Sequence, residues 1–258
     1  MPDLNGIRLK SDLINALSDI HGYCSYLEVC VPGSGNQFDL VDRSRYPICR
    51  RLVYRCPDDW GDGGDIHFRS NDLAIGECIG QIKRDGRRVE VMLLDPWHEY
   101  ETSYRDIAEG FALVADHGTI IVHDCLPPYA AIANPKFQPG DWCGVTYKAF
   151  LDFVTSRSDL VYCTVDTDFG CGIIRKKRLW ERTLPSMDWN RRALMKAWRG
   201  IGNDFPKAFR FYEEHRRSLL NLVTVAEFLA AEQRRARGRL HRLFAQPRAR
   251  GPLGPPLA

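Results

Sequence analysis

Five short apolar runs, each stopping at a polar or glycine-rich stretch, constrain this 258-residue chain more than any other feature. They are Tyr26 to Val31, Arg51 to Tyr54, Ile66 to Phe68, Val89 to Leu94 and Thr119 to Val122. Short runs rich in β-branched and aromatic residues read as strands. Between them apolar residues return at helical spacing, over 7–20 through Ile7, Leu9, Leu13, Leu17 and Ile20, and again over 73–82 and 103–115. Strands apolar on both faces, alternating with amphipathic helices, call for a mainly parallel sheet covered on both sides, an α/β architecture. After a loop rich in proline and glycine, Pro127 to Gly140, the pattern predicts a helix over 145–154. A strand pair over 160–165 and 171–175 follows, closing the sheet with an antiparallel edge.

Beyond Lys176 the strand signals stop, and helical spacing takes over at 190–199, 206–215 and 219–243. The charge changes at the same place. Residues 1–174 hold 16 basic and 26 acidic side chains, a net −10, whereas 175–258 hold 20 and 7, a net +13. The overall +3 is therefore a near-cancellation, and it divides the chain into parts with different partners. Three parts are expected: a sheet domain over 1–175, a basic helical extension over 176–246, and a tail over 247–258. The tail is rich in Pro, Gly and Arg and is expected to be disordered. A composition 44% hydrophobic and 27% charged excludes a largely disordered or fibrous chain. No run reaches the roughly 18 apolar residues of a spanning helix, and residues 1–10 lack the pattern of a secretory signal, so a cytoplasmic protein is expected. Nine cysteines, none in C-x-x-C spacing, argue against a zinc ribbon or a thioredoxin-like site, and most should act as small apolar residues.

In an open α/β sheet the ligand lies beyond the carboxyl ends of the strands. That rule selects Glu28 to Gly35 after the first run and Cys56, Asp58 and Asp59 after the second. It selects Ser70, Asn71 and Asp72 after the third, Asp95, Trp97 and His98 after the fourth, and His123, Asp124 and Cys125 after the fifth. Any one of these is unremarkable as a helix cap or a packing residue. Their convergence on one edge is informative, because burying such groups unpaired costs about 1–3 kcal/mol each.

Four segments carry a family resemblance: Tyr26-Leu27-Glu28-Val29-Cys30-Val31 with Gly33-Ser34-Gly35; Leu94-Asp95-Pro96-Trp97-His98-Glu99-Tyr100 with Arg105-Asp106-Ile107; Gly118 through Pro127; and Gly144 through Ala149 with Val165 through Gly170. Together the chain resembles the class I S-adenosylmethionine-dependent methyltransferases over about residues 24–175, and within them a bacterial branch acting on sugars and natural products. The resemblance implies a Rossmann-like doubly wound sheet and a cofactor held by Glu28, Cys30, Gly33, Gly35, Cys56, Asp72, Asp95 and Trp97. The chain departs from the family at three of these places. Cys30 and Pro96 stand where glycine is usual, and Cys56 stands where an acid would hold the ribose hydroxyls.

Transfer of a methyl group to oxygen requires an aligned acceptor and removal of its proton. His98 and His123 are the candidate bases, with His98 preferred, and Asp124 completes the catalytic set. Asp95 and Asp124 also stand where the resemblance to metal-dependent catechol-type methyltransferases implies two carboxylate ligands for a divalent ion such as magnesium. Cys125 in place of the usual third oxygen ligand is a poor match for so hard an ion. Trp97 would stack on the adenine, floor the acceptor pocket or simply pack. The basic residues of the extension, among them Arg191, Arg199, Arg210 and Arg217, read as a solvated face, a site for an anionic or sugar-linked acceptor, or, ranked lowest, a nucleic-acid surface. The run Leu219 to Leu229 is too apolar for a free helix and should pack on the sheet or on a second copy in a homodimer. The leading expectation is an O-methyltransferase of a small polar metabolite. Its rivals are a methyltransferase-fold binding module with altered cofactor use, and an RNA methyltransferase.

Overall fold

The computed structural model describes residues 7–31, 37–54, 67–70, 88–95, 97–177 and 189–244. Eight strands form one sheet: β1 (Ser25–Cys30), β2 (Ile48–Tyr54), β3 (His67–Ser70), β4 (Val89–Asp95), β5 (Val114–Val122), β6 (Leu160–Val165), β7 (Cys171–Lys176) and β8 (Leu222–Val223). Their order is β3-β2-β1-β4-β5-β7-β6-β8. β1 to β5 run parallel, and β7 lies antiparallel between β5 and β6. The first five strands follow the doubly wound order, which reverses between β1 and β4 and opens a crevice there.

Alternation along each strand explains why the runs are apolar throughout. Leu27, Met92, Leu94 and Ile120 face one core layer, where they meet α3 (Tyr100–Leu113) and α4 (Thr146–Thr155) through Ile107, Phe111, Phe150 and Phe153. Tyr26, Val91, Leu93 and Ile121 face the other, against α1 (Lys10–His21) with its Leu13, Ile14 and Leu17. A short α2 (Gln37–Leu40) contributes Phe38 to that second layer. The helix expected over 73–82 and the tail over 247–258 lie outside the described residues.

The C-terminal segment corrects the sequence reading in one respect, the continuity of its last helix. The extension packs into both core layers. From α5 (Trp189–Arg199) and α6 (Phe205–Leu219), the side chains of Trp198, Phe209, Tyr212 and Leu219 enter the first core layer. From α7 (Val225–Phe244), Phe228 and Leu229 enter the second. The stretch 219–243 is not one helix. Asn221 takes a left-handed φ of 49°, Leu222 and Val223 pair with β6, and a new helix begins after Thr224. Thr224 and Glu227 cap each other there: the Thr224 backbone N–H donates to Glu227 Oε2 at 2.8 Å, and the Glu227 N–H to Thr224 Oγ1 at 3.2 Å. The apolar run does pack on the sheet, as expected. Of the basic side chains, Arg191 donates to the Tyr162 hydroxyl and Arg199 to the Thr155 carbonyl, while Arg192, Lys196, Lys207, Arg210, Arg216 and Arg217 are exposed or half-buried at the surface.

Candidate active site

Asp95 is the last residue of β4, and His123 and Asp124 directly follow β5. Adjacent parallel strands therefore deliver all three to one edge. The His123 N–H donates to the Leu94 carbonyl at 2.9 Å, which extends the β4–β5 ladder to the site itself. Asp124 has a φ of 59°, a region that non-glycine residues seldom occupy. Such strain persists only where surrounding structure enforces it, and it concentrates at functional sites. The turn between β6 and β7 supplies Asp168, at a φ of 47°, beside the same edge. Gly170, at a φ of 88°, is required there, because a Cβ would fall 2.2 Å from that of Leu126.

These groups form one cluster. His123 Nδ1 lies 3.2 Å from Asp95 Oδ1 and 3.1 Å from Asp124 Oδ2, and its Nε2 lies 3.4 Å from Asp168 Oδ1. Burial disfavours a charged imidazole, but Asp124 and Asp95 outweigh it and hold His123 well above its usual value. The carboxylates thus favour the charged form of His123, whereas His98 meets a single carboxylate. Burial would likewise raise Asp95, yet His123 and Lys10 drive it far below the ordinary carboxylate range.

His98 is arranged differently. Its Nε2 lies 3.2 Å from Asp124 Oδ2, and its Nδ1 lies 3.3 Å from Thr146 Oγ1, which in turn contacts Ser103 Oγ at 3.2 Å. The His98 carbonyl accepts from the Val145 N–H at 2.9 Å. Gly144, at a φ of 55°, permits this approach, since a Cβ there would sit 2.2 Å from the His98 carbonyl oxygen. The ring opens on a cavity of about 420 Å³ shared with Lys10, Asp95, Asp124, Trp97 and Trp142. Trp97 stacks on Phe137 at 5.0 Å and meets the edge of Trp142 at 5.0 Å, so it forms part of an aromatic wall on the His98 side.

The sequence did not single out Lys10 or recognise Asp168 as a site residue. Lys10 opens α1, and its backbone N–H donates to Asp168 Oδ2 at 2.8 Å. Lys10 is 5% exposed, and its ammonium lies 3.2 Å from Asp95 Oδ2, 3.8 Å from Asp168 Oδ2, and 3.3 and 3.4 Å from the ring nitrogens of His123. Burial penalises the charge, but Asp95, Asp168 and Asp124 more than offset it and raise Lys10 above its usual value. One signal was available: a lysine in the first turn opposes the helix dipole, which favours acids there.

Asp95, His98 and Asp124 do bring ligand atoms within 4.8 Å of one another, close enough to share a metal ion. The rest of the donor set does not fit a hard divalent ion. Both oxygens of Asp95 are already engaged, by Lys10 and by His123. An ion on Asp95 would stand beside the Lys10 ammonium, a repulsion on the order of several kcal/mol at about 4 Å. Cys125 turns its thiol to the Val122 carbonyl at 3.4 Å, and burial pushes that thiol well up.

On the cofactor side, the described residues hold Glu28 and Cys30. Both are buried in β1. The Tyr26 hydroxyl donates to Glu28 Oε2 at 2.8 Å, and Arg51 Nε lies 3.3 Å from Glu28 Oε1 while donating to Cys30 Sγ at 3.2 Å. Glu28 Oε1 is buried without a hydrogen-bond donor. The oxygen retains acceptor capacity beside Arg51, which the ammonium of S-adenosylmethionine would share. Burial pushes the Cys30 thiol well up, so it contributes bulk rather than charge. Gly33, Gly35, Cys56, Asp72 and Pro96 lie outside the described residues.

No family model matches the chain, and no curated protein matches it. Solved structures do overlap it. The S-adenosylhomocysteine-bound methyltransferase PaMTH1 of Podospora anserina shares 11% identity at a TM-score of 0.47, over 69% of this chain and 83% of that one. The O-methyltransferase TomG of Streptomyces achromogenes, involved in tomaymycin synthesis and solved with S-adenosylmethionine, shares 13% at 0.49, over 69% and 84%. The methyltransferase MycE of the mycinamycin pathway, solved with Mg, S-adenosylhomocysteine and mycinamycin VI, shares 14% at 0.40, over 65% and 48%. Overlaps this loose assign no activity.

Proposed function

We propose that this chain is an S-adenosylmethionine-dependent O-methyltransferase acting on a small polar acceptor of the sugar or natural-product type. The observation that carries the reading is the His98–Asp124 pair, 3.2 Å apart, opening on an aromatic-walled cavity at the carboxyl ends of β4 and β5. His98 reaches the cavity with Nε2 beside Asp124 Oδ2 at 3.2 Å and Nδ1 beside Thr146 Oγ1 at 3.3 Å. An acceptor hydroxyl bound beside the His98–Asp124 pair would give its proton to that pair as its oxygen takes the methyl carbon and the carbon–sulfur bond breaks to leave the neutral thioether, with the proton held between the imidazole and the Asp124 carboxylate. S-adenosylmethionine, when bound, supplies an electrophilic methyl group on a sulfonium. Trp97 and Trp142 offer flat apolar faces suited to a sugar ring or an aromatic ring, and Phe137 and Phe169, 55% and 40% exposed, extend that surface to the rim.

Calorimetric titration with S-adenosylhomocysteine tests the cofactor, and transfer of labelled methyl from S-adenosylmethionine to a panel of hydroxylated metabolites tests the reaction. Absence of binding at millimolar S-adenosylhomocysteine would sink the reading. That result would favour a methyltransferase-fold binding module, for which Arg51, packed against both Glu28 and Cys30, is the supporting observation.

A further inference from the structure

We propose that Lys10 is a built-in cation, whose ammonium holds the carboxylate-lined position at the ends of β4 and β5 that a divalent ion would otherwise take, so that the site works without metal. Three observations carry this. The ammonium is buried, and it lies 3.2 Å from Asp95 and 3.8 Å from Asp168. Both Asp95 oxygens are engaged from within the chain, so an incoming ion would have to displace Lys10 or His123. The mount of Lys10 is fixed. Its own backbone N–H is capped by Asp168 at 2.8 Å, and the Thr167 hydroxyl donates to the Arg8 carbonyl at 2.9 Å, tying the start of α1 to the β6–β7 turn. A long side chain held at its root in this way is not a surface lysine that has drifted inward.

The charges agree with this placement. Asp95, Asp124 and Asp168 converge on one edge, and three carboxylates there carry more negative charge than His123 alone could offset. Lys10 supplies positive charge there from α1, and it lines the same cavity as His98 and Asp124, where charge shifts as an acceptor hydroxyl loses its proton.

The inference rests on reading the β4–β5 edge as the site, but its test needs neither methyl donor nor acceptor, so the two can fail separately. Electron paramagnetic resonance counts Mn²⁺ bound to the full chain and to the Lys10→Met variant. The expected result is no binding by the wild type below millimolar Mn²⁺, and at least tenfold tighter binding by Lys10→Met that disappears when Asp95→Asn is added. Binding by the wild type as tight as by the variant overturns the proposal, and so does binding by neither. If Lys10→Met does not fold, the wild type decides alone. A melting temperature unmoved by millimolar Mg²⁺, Mn²⁺ or EDTA supports a resident ammonium, whereas a rise of several degrees with either metal overturns it.

Discussion

His98 and His123 look equivalent in the sequence, each beside an aspartate at a strand end, and their surroundings separate them. His123 stands among three carboxylates, while His98 meets one carboxylate and one hydroxyl and faces the cavity. His98→Ala should therefore lower kcat about a hundred- to ten-thousand-fold, the range for loss of a positioned base, with little change in KM. Asp124→Asn should fall in the same range. Steady-state methyl transfer by purified variants checks both, and a His98→Ala enzyme with kcat within threefold of wild type would remove His98 from the chemistry. Much of the candidate edge was legible at this scale, since the placement of Asp95, His98 and Asp124 follows from where strands stop. Lys10 and Asp168 were not, because their partners lie 45 to 158 positions away in the chain and no local pattern announces such a pairing.

At the scale of elements, backbone turns fix the site as much as side chains do. Gly144 lets the start of α4 close on the loop that carries His98. Gly144→Ala would place a Cβ in that carbonyl and force a left-handed φ on alanine, a conformational cost of about 1–2 kcal/mol before any clash. The expected outcome is a melting temperature lower by several degrees together with reduced kcat, while cofactor binding by calorimetry stays near wild type, because Glu28 and β1 are untouched. The broken helix near Asn221 shows the opposite limit of sequence reading. The run from Leu219 keeps helical spacing across the break, so periodicity alone joins the two pieces. The cap supplied by Thr224 and the pairing of Leu222 and Val223 with β6 separate them. Thr224→Ala should cost about 1 kcal/mol in denaturant unfolding through loss of that cap.

For the whole molecule, the division of the chain by charge does not match its division in space. The −10 and +13 halves share both core layers, and a buried ionic junction joins them. Glu232 of α7 lies 2.7 Å from His21 Nε2 of α1 and is bonded to Arg175 of β7, with all three side chains less than a tenth exposed. Arg235 adds positive charge on the same helix. Burial alone would raise Glu232, but Arg175 and His21 outweigh it and bring it down to about 2. Burial lowers His21 below its usual value despite Glu232. The two signs agree. The unfolded chain takes up a proton on His21 near its ordinary value and on Glu232 near 4.5, in each case before the folded chain does. Stability should therefore be fully present above about pH 6.5, begin to fall as the unfolded histidine charges, and fall further from about pH 4.5 as pH drops toward 2. The carboxylate contributes roughly 3 kcal/mol to that loss. In Glu232→Gln the Arg175 guanidinium keeps its charge without its partner, so the variant should be less stable than wild type by roughly 3 kcal/mol at pH 7. That gap should close as pH approaches 2. Urea unfolding of both proteins across pH 3–8 measures it, and a gap that stays constant with pH would mean that Glu232 acts through packing alone.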